Sequence, residues 1–159
     1  MTAEQNRAAA LEFFEQAWVG GDLTAYERFV HPEQVLHLAG YSEPFEGRDA
    51  ALDWARTYRS AFPDIDFTLE AVLAEDDHVA LRWSSSQTQR GPYLGVAPFG
   101  TRVTMTALQM FRFSEGKIAE VWIMFDPLNV MQQLGVFPAG QLPRPLLAVI
   151  NTIRRFKRS

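Results

Sequence analysis

The 159-residue sequence contains no cysteine, only three histidines and no long apolar run. The lack of cysteine excludes disulfide bridges, thiolate nucleophiles and cysteine-ligated metals. Because the histidines lie far apart in the chain, we also expect no metal site. No apolar run approaches the roughly 20 residues of a membrane span, and the first residues lack the basic start and apolar stretch of a signal peptide. We therefore expect a soluble, cytoplasmic protein.

The chain is rich in apolar residues, and its charge is unevenly distributed. Hydrophobic residues make up 47% and aromatic residues 13% of the sequence, enough to fill a sizeable core in one domain. Residues 142–159 carry five Lys or Arg and no acid, whereas the rest of the chain carries 10 basic and 19 acidic residues. The excess of acidic residues outside this C-terminal segment argues against nucleic acid as a partner.

Hydrophobic periodicity predicts helices first and an antiparallel sheet afterwards. The predicted helices are Glu4–Val19, Asp22–Phe29, Asp49–Phe62 and Leu128–Gly135. The predicted strands are Val35–Leu38, Asp66–Ala74, His78–Gln89, Arg102–Phe113 and Lys117–Asp126. This order indicates an α+β fold, in which a curved sheet wraps against the helices and encloses a cone. A cone with apolar walls and a few polar groups is a typical small-molecule site.

The C-terminal residues are predicted to lie outside a single domain that spans residues 1–137. Residues 138–145 are rich in proline and glycine, which is typical of a linker, and residues 146–158 have the pattern of a basic amphipathic helix. Opposite charge favours packing of this helix on the acidic body or on a sister subunit. Contact with an anionic membrane surface is the alternative.

Four short motifs stand out in the last third of the domain. They are Gly100-Thr-Arg-Val103, Phe111-Arg-Phe113 before Gly116-Lys-Ile118, Trp122-Ile-Met-Phe-Asp126, and Gln132-Gln-Leu-Gly135. Together with Phe45-Glu-Gly-Arg48 and Ala61-Phe-Pro-Asp64, they resemble the SnoaL-like polyketide cyclases, also called ester cyclases. The resemblance covers about residues 5–136. It implies the NTF2-like, or ketosteroid-isomerase-like, cone fold.

Asp126 ends the last apolar strand and is the first candidate for a catalytic group. A carboxylate at that point is costly unless it is solvated, paired or used. Residues 122, 124 and 126 share a strand face, so Trp122 would line the cavity wall and burial would raise the pKa of Asp126. In the cyclases that the chain resembles, the acid of this motif is the general acid/base of an intramolecular aldol closure. Alternatively, Asp126 caps the following helix through the N–H of Leu128 or Asn129.

Gln109 and His37 are candidates for holding a reacting oxygen. The Gln109 amide lies in the middle of an apolar strand and must find a partner, which could be a substrate carbonyl or an enolate oxygen. A neutral His37 imidazole could bind the ligand or pair with Asp126. Alternatively, Gln109 is a hydrogen-bonded core residue or faces solvent, and His37 is a structural histidine.

The remaining candidates would bind substrate. Arg82 stands where the similar limonene-type epoxide hydrolases use an Arg-x-Asp pair, but here the sequence is Arg82-Trp-Ser84. The missing carboxylate argues against epoxide hydrolysis, and Arg82 could instead hold an anionic group, pair with Asp126 or face solvent. The apolar and aromatic candidates are Phe14, Trp18, Tyr41, Met105 and Trp122.

The resemblance implies a cofactor-independent cyclase that acts on a hydrophobic, for instance aromatic, small molecule. It also implies a homodimer formed through the sheet. The fold alone does not decide the reaction. Epoxide hydrolysis or isomerisation on the same scaffold, and a non-catalytic member that binds a hydrophobic ligand, are the alternatives.

Overall fold

Six strands form one curved, mixed sheet, and the helices pack on its inner face. The computed structural model describes residues 1–137. The strands are β1 (Val30–Leu38), β2 (Phe45–Glu46), β3 (Asp66–Glu75), β4 (His78–Thr88), β5 (Arg102–Ser114) and β6 (Lys117–Phe125). Their spatial order is β2-β1-β6-β5-β4-β3, with β1 parallel to β6 and the other neighbours antiparallel. The α+β cone predicted from the sequence is confirmed.

The helices are α1 (Ala3–Phe13), which continues as a π-helical segment (Phe14–Val19), then α2 (Ala25–Phe29), α3 (Arg48–Ala61) and α4 (Pro127–Gln133). Thr2 and Gln5 form a capping box at the start of α1, which satisfies two N–H groups of its first turn. The wider π-helical turn lets the adjacent Phe13 and Phe14 both be buried. The long helix predicted over Glu4–Val19 is therefore present, with a change of pitch inside it.

Two departures from the predicted elements lie in and near β1. The strand begins at Val30 rather than Val35, and its pairing with β6 shifts register between those two residues. Pro32 lies inside the shifted segment, where a residue without an N–H is tolerated, and it hid the strand in the sequence. The short strand β2 pairs with β1 and was not predicted, because two residues carry no periodic pattern.

Side chains alternate between the two faces of the sheet, except where the strand pairing shifts register. On β5, Ala107, Gln109 and Phe111 are buried against the helices, whereas Leu108 and Met110 are exposed. We call these the inner and outer faces of the sheet. This alternation decides which of the predicted site residues can reach the inside of the cone.

The predicted linker and basic helix, residues 138–159, lie outside the described residues. Within residues 1–137, none of the helices combines the length and the apolar character needed to cross a bilayer.

Candidate active site

The inner face of the sheet, α3 and the π-helical segment enclose an apolar cavity, which we call the main cavity. It comprises about 370 Å³ of space between atoms, part of it open to solvent. Its lining residues are Phe14, Trp18, Leu38, Trp54, Tyr58, Phe67, Trp83, Tyr93, Met105, Gln109, Ile123 and Phe125. The free space is narrow and admits only about one or two water molecules. A larger ligand must therefore push some of these side chains aside.

Aromatic rings form most of the wall, and the local helix geometry explains why they meet. Trp54 and Tyr58 are four residues apart on α3, so they lie on the same face of the helix and stack with ring centroids 5.4 Å apart. Trp18 of the π-helical segment packs against Trp54 at 5.7 Å. Flat rings at these distances offer stacking surfaces to a planar ligand.

Gln109 is the polar group at the centre of this apolar wall. It is buried on β5, and its Oε1 accepts a hydrogen bond from Trp83 Nε1 at 3.0 Å. Because an indole N–H can only donate, this contact fixes which end of the amide is the oxygen. The Nε2 group of Gln109 has no acceptor within residues 1–137 and is left to donate into the cavity.

Two tyrosines supply the other polar atoms of the wall. Tyr58 Oη accepts from Gln87 Nε2 at 2.8 Å, and Gln87 Oε1 in turn accepts from Ser85 Oγ at 2.9 Å. Burial raises the pKa of Tyr58, and the neighbouring Tyr93 raises it further, against a smaller lowering by the hydrogen bond from Gln87. Burial also raises the pKa of Tyr93. Both phenols are therefore neutral hydrogen-bond donors at neutral pH, not bases.

Asp126 does not lie where the sequence predicted. Its side chain is exposed and accepts a hydrogen bond from the N–H of Asn129 at 3.0 Å, as the N-cap of α4. It lines a shallow depression on the outer face of the sheet together with Arg82. The prediction that Asp126 is buried in the cavity is wrong. Ile123 and Phe125 occupy the inward positions at the end of β6, so the residues that alternate with them, including Asp126, lie on the outer face.

His37 and Trp122 also lie on the outer face. Their rings are parallel within 5° with centroids 5.3 Å apart, and His37 Nε2 lies 2.9 Å from Glu120 Oε1. Arg112 donates to the other Glu120 oxygen at 2.9 and 3.0 Å. The expected contact of His37 and Trp122 with a ligand in the cone is not found, since both belong to a cross-strand cluster outside it.

Arg82 and Tyr41 are the remaining candidates outside the cavity. Arg82 forms an ion pair with Glu70 and is more than half exposed. Epoxide hydrolysis would require a carboxylate beside an arginine inside the cone. Within residues 1–137 no such pair is found, because Arg82 and Glu70 lie on the outer face. Tyr41 follows β1 and packs edge-on against Phe45, at the border of the sheet.

Of the predicted site residues, the structure brings four together around the main cavity: Phe14, Trp18, Met105 and Gln109. Sequence reasoning missed Trp83 as the partner of Gln109. The register of β4 and β5 contains the signal, since Trp83 pairs with Ala107 and so lies diagonally next to Gln109 on the same face. What the arrangement can do is hold a planar, apolar molecule and donate hydrogen bonds to its oxygens.

One family model matches this chain over residues 8–134, and its description is SnoaL-like polyketide cyclase. The chain belongs to the SnoaL-like polyketide cyclase family. This membership confirms the resemblance that the motifs of β5, β6 and α4 carry. No curated protein matches the chain.

Several solved structures are similar to this chain. A protein from Jannaschia sp. CCS1, provisionally described as a SnoaL-like polyketide cyclase, is 24% identical with a TM-score of 0.80, over 86% of this chain and 96% of that one. AclR from Streptomyces galilaeus, provisionally described as a hydroxylase, is 25% identical with a TM-score of 0.74, over 99% and 96%. IdmH from Streptomyces antibioticus, provisionally described as a polyketide cyclase, is 28% identical with a TM-score of 0.67, over 81% and 98%.

Proposed function

We propose that this chain is a cofactor-independent enzyme of the polyketide cyclase type. In this proposal, a hydrophobic, polycarbonyl molecule with at least one planar ring binds in the main cavity. A base removes a proton from a carbon next to a carbonyl of the bound molecule, and the enolate carbon attacks another carbonyl carbon of the same molecule. A carbon–carbon bond forms as the C=O π bond opens to an alkoxide, and the proton taken from carbon ends on that alkoxide oxygen. Family membership and the likeness to IdmH, which is provisionally described as a polyketide cyclase, support this reaction class.

The orientation of Gln109 is the observation on which the proposal rests. Its Nε2 donates into an aromatic cavity, and Trp83 holds the amide so that it cannot turn its oxygen inward without losing a buried hydrogen bond. In such an apolar environment, a fixed donor stabilises the negative charge that develops on an enolate or alkoxide oxygen. Tyr58 and Tyr93 line the same cavity as neutral donors for further oxygens of the substrate.

Gln109→Leu, with Trp83→Phe as a partner variant, tests this role. A synthetic aromatic β-polyketo methyl ester serves as the probe, and ring closure is followed as a mass-neutral change of retention time by liquid chromatography and mass spectrometry. We expect Gln109→Leu to lower the rate by about 100-fold. Trp83→Phe keeps the donor but frees the amide to turn, so we expect a smaller loss. Gln5→Leu on the exposed start of α1 is the control. An unchanged rate in Gln109→Leu would reject the role of this amide.

Asp126 is proposed as the group that exchanges the proton, and to reach the main cavity its carboxylate must leave the α4 cap. Its sequence position supports this role, because it directly follows Phe125, which lines the main cavity. Asp126→Asn removes the ionisable group while keeping a good N-cap. On this proposal, the variant loses about 100-fold or more in rate at unchanged ligand affinity. Turnover equal to the wild type would exclude Asp126 as the acid/base.

A non-catalytic, ligand-binding protein is the second candidate. It is favoured by the chemistry of the groups that reach the main cavity, an amide and two phenols with raised pKa, which form hydrogen bonds but do not exchange protons at neutral pH. Calorimetric binding of an aromatic probe together with no ring closure across a panel of β-polyketo esters would favour this candidate over the enzyme.

A further inference from the structure

A second cavity adjoins the main cavity on the side of α1, α2 and β1, and we call it the deep cavity. It comprises about 240 Å³ of space between atoms, part of it open to solvent, and its free space admits only about one water molecule. Its lining residues are Phe13, Trp18, Tyr26, Gln34, Leu36, Ala51, Trp54, Gln109, Phe111, Val121 and Ile123. Four of them, Trp18, Trp54, Gln109 and Ile123, also line the main cavity. A ligand that pushes these shared side chains aside can therefore extend from one space into the other past Gln109.

Gln34 is the second amide of the deep cavity, and its side chain has no partner. It is 2% exposed, and its Oε1 is enclosed with no hydrogen-bond donor in the described part of the chain. Only its backbone is used, since its carbonyl accepts from Gly47 N at 2.7 Å. An unpaired buried amide is rare, and its cost needs an explanation.

Two other buried side chains with an unpaired oxygen show why Gln34 differs. The oxygens of Gln89 and Asn6 also lack a donor within residues 1–137. However, Gln89 Nε2 donates to the carbonyl of Val96 at 3.1 Å, and Asn6 Nδ2 donates to that of Asp76 at 3.1 Å. Both amides hold loops in place and neither lines the two cavities. The Gln34 side chain forms no hydrogen bond in the described part of the chain, and it lines the deep cavity.

Gln34 and Gln109 offer complementary hydrogen-bonding groups to the same cavity. Gln109 presents the free donor Nε2, because Trp83 occupies its oxygen, and Gln34 presents the free acceptor Oε1. A hydroxyl group is the simple ligand group that accepts one hydrogen bond and donates another. We propose that the deep cavity is a hydroxyl-binding subsite, in which Gln34 and Gln109 together hold a phenolic or enolic O–H of the ligand. This inference rests on the proposed binding of an aromatic molecule in the main cavity.

A pair of probes of equal size tests the subsite: 2-naphthol, which carries the hydroxyl, and 2-methylnaphthalene, which carries a methyl group instead. Their dissociation constants are measured by calorimetry for the wild type and for Gln34→Met, a variant of similar length without hydrogen-bonding capacity. We expect the preference for naphthol over methylnaphthalene to fall about three- to tenfold in Gln34→Met, since one hydrogen bond to the hydroxyl is lost. Asn6→Leu, the control, removes a buried amide that lines neither cavity and should leave the preference unchanged.

Thermal unfolding of the same variants separates a binding role from a structural one. A buried glutamine without a hydrogen-bond partner destabilises the protein when no ligand is bound. Gln34→Met should therefore raise the melting temperature by about 2–6 °C. Asn6→Leu should lower it, because that amide holds the carbonyl of Asp76. A lower melting temperature for Gln34→Met would assign Gln34 a structural role and overturn the subsite.

The outcomes distinguish this inference from the proposed function. If both probes bind the wild type and their ratio is the same in Gln34→Met, the subsite is rejected and the aromatic cavity stands. If neither probe binds the wild type at millimolar concentration, both the subsite and the proposed binding of an aromatic molecule in the main cavity are rejected.

Discussion

At the scale of single residues, Asp126 stabilises the start of α4, whether or not it also takes part in catalysis. Its carboxylate accepts from the N–H of Asn129 and closes the first turn of α4, with Pro127 at the first helical position. We expect Asp126→Ala to lower the free energy of unfolding by about 1 kcal/mol through loss of this cap, and Asp126→Asn to leave it nearly unchanged. Urea denaturation followed by tryptophan fluorescence measures both. Equal losses for the two variants would mean that the charge, and not the cap, stabilises the protein.

The same residue shows how far a sequence can locate a site. Alternation correctly places residues 122, 124 and 126 on one side of β6, but it does not say which side is the inside. Both sides of β6 are apolar, since Ile123 and Phe125 alternate with Trp122 and Met124. Packing against the helices decides which side of β6 faces inward, and the sequence of β6 carries no information about that packing.

Gln109 illustrates the opposite case. Its inward orientation was left open, because a glutamine in an apolar strand can face either a partner or solvent. Over the whole of β5 the inner positions are the more apolar, with Val103, Phe111 and Phe113 buried there, whereas Leu108 and Met110 share the outer face with Thr104, Thr106 and Arg112. The full strand pattern therefore favours the observed inner face, and only the short stretch around Gln109 is ambiguous.

At the scale of elements, Glu120 joins three strands. It lies on β6, accepts from Arg112 on β5 and pairs with His37 on β1. Burial alone would raise the pKa of Glu120, but the hydrogen bonds from His37 and Arg112 outweigh burial and lower it below the ordinary value of 4.5. The native state then holds fewer protons than the unfolded state just below pH 4.5.

The lowered pKa of Glu120 predicts an acid-dependent contribution to stability. The contribution is complete above the ordinary glutamate pKa of about 4.5 and is lost as the pH falls through the lower, folded-state pKa. We therefore expect the stability advantage of the wild type over Glu120→Gln to be constant from pH 7 to about 5 and to shrink below about 4.5. Urea denaturation across this range tests it, with Glu115→Gln in the exposed β5–β6 turn as control. A constant difference down to pH 3 would contradict the shift.

The loop between β4 and β5 is attached to α3 at one point. Arg90 N and Gly91 N both donate to the carbonyl of Ala61, at 2.7 and 3.1 Å. A Cβ at Gly91 would lie 3.0 Å from the Cα of Ala61 and 3.1 Å from the carbonyl oxygen of Ser60. Because both neighbours are backbone atoms of a packed helix, they cannot turn away.

We expect Gly91→Ala to push the loop off α3 and to lower the free energy of unfolding by about 1–3 kcal/mol. Because the loop carries Tyr93 into the wall of the main cavity, the variant should also change the affinity for an aromatic ligand. Denaturation and calorimetry measure the two effects, with the exposed Ala97→Ser in the same loop as control. Wild-type stability would show that the loop does not depend on this close contact.

At the scale of the whole molecule, the order of the helices and strands could be predicted from the sequence. What each face of the sheet contacts could not. Helices followed by a meander of strands predicted the cone, and the sheet order confirms it. The outer face, however, carries exposed apolar residues that a helix-covered sheet does not need. They are Leu73, Leu108, Met110 and Met124, which the strand register places in two neighbouring rows across the sheet.

We propose that a second copy of the chain covers these rows, which would make the protein the homodimer that the family resemblance implies. Exposed apolar side chains clustered on one face are typical of an interaction surface, and a stable dimer needs about 800 Å² of such surface from each partner. In the dimer, the outer-face cluster of His37 and Trp122 would lie at or near the contact, because Trp122 pairs with Met110 in the sheet.

Leu108→Glu tests the homodimer. A two-fold axis through the sheet would place the new charge of each copy in an apolar contact, at a cost of several kcal/mol. We expect the wild type to sediment as a dimer at micromolar concentration and Leu108→Glu to sediment as a folded monomer, with melting temperature and ligand binding in the cavity largely kept. Val19→Glu, which adds the same charge at an exposed site after α1, should remain dimeric. A wild type that stays monomeric up to about 100 µM would reject the second copy, since standard-size interfaces reach affinities far below that concentration.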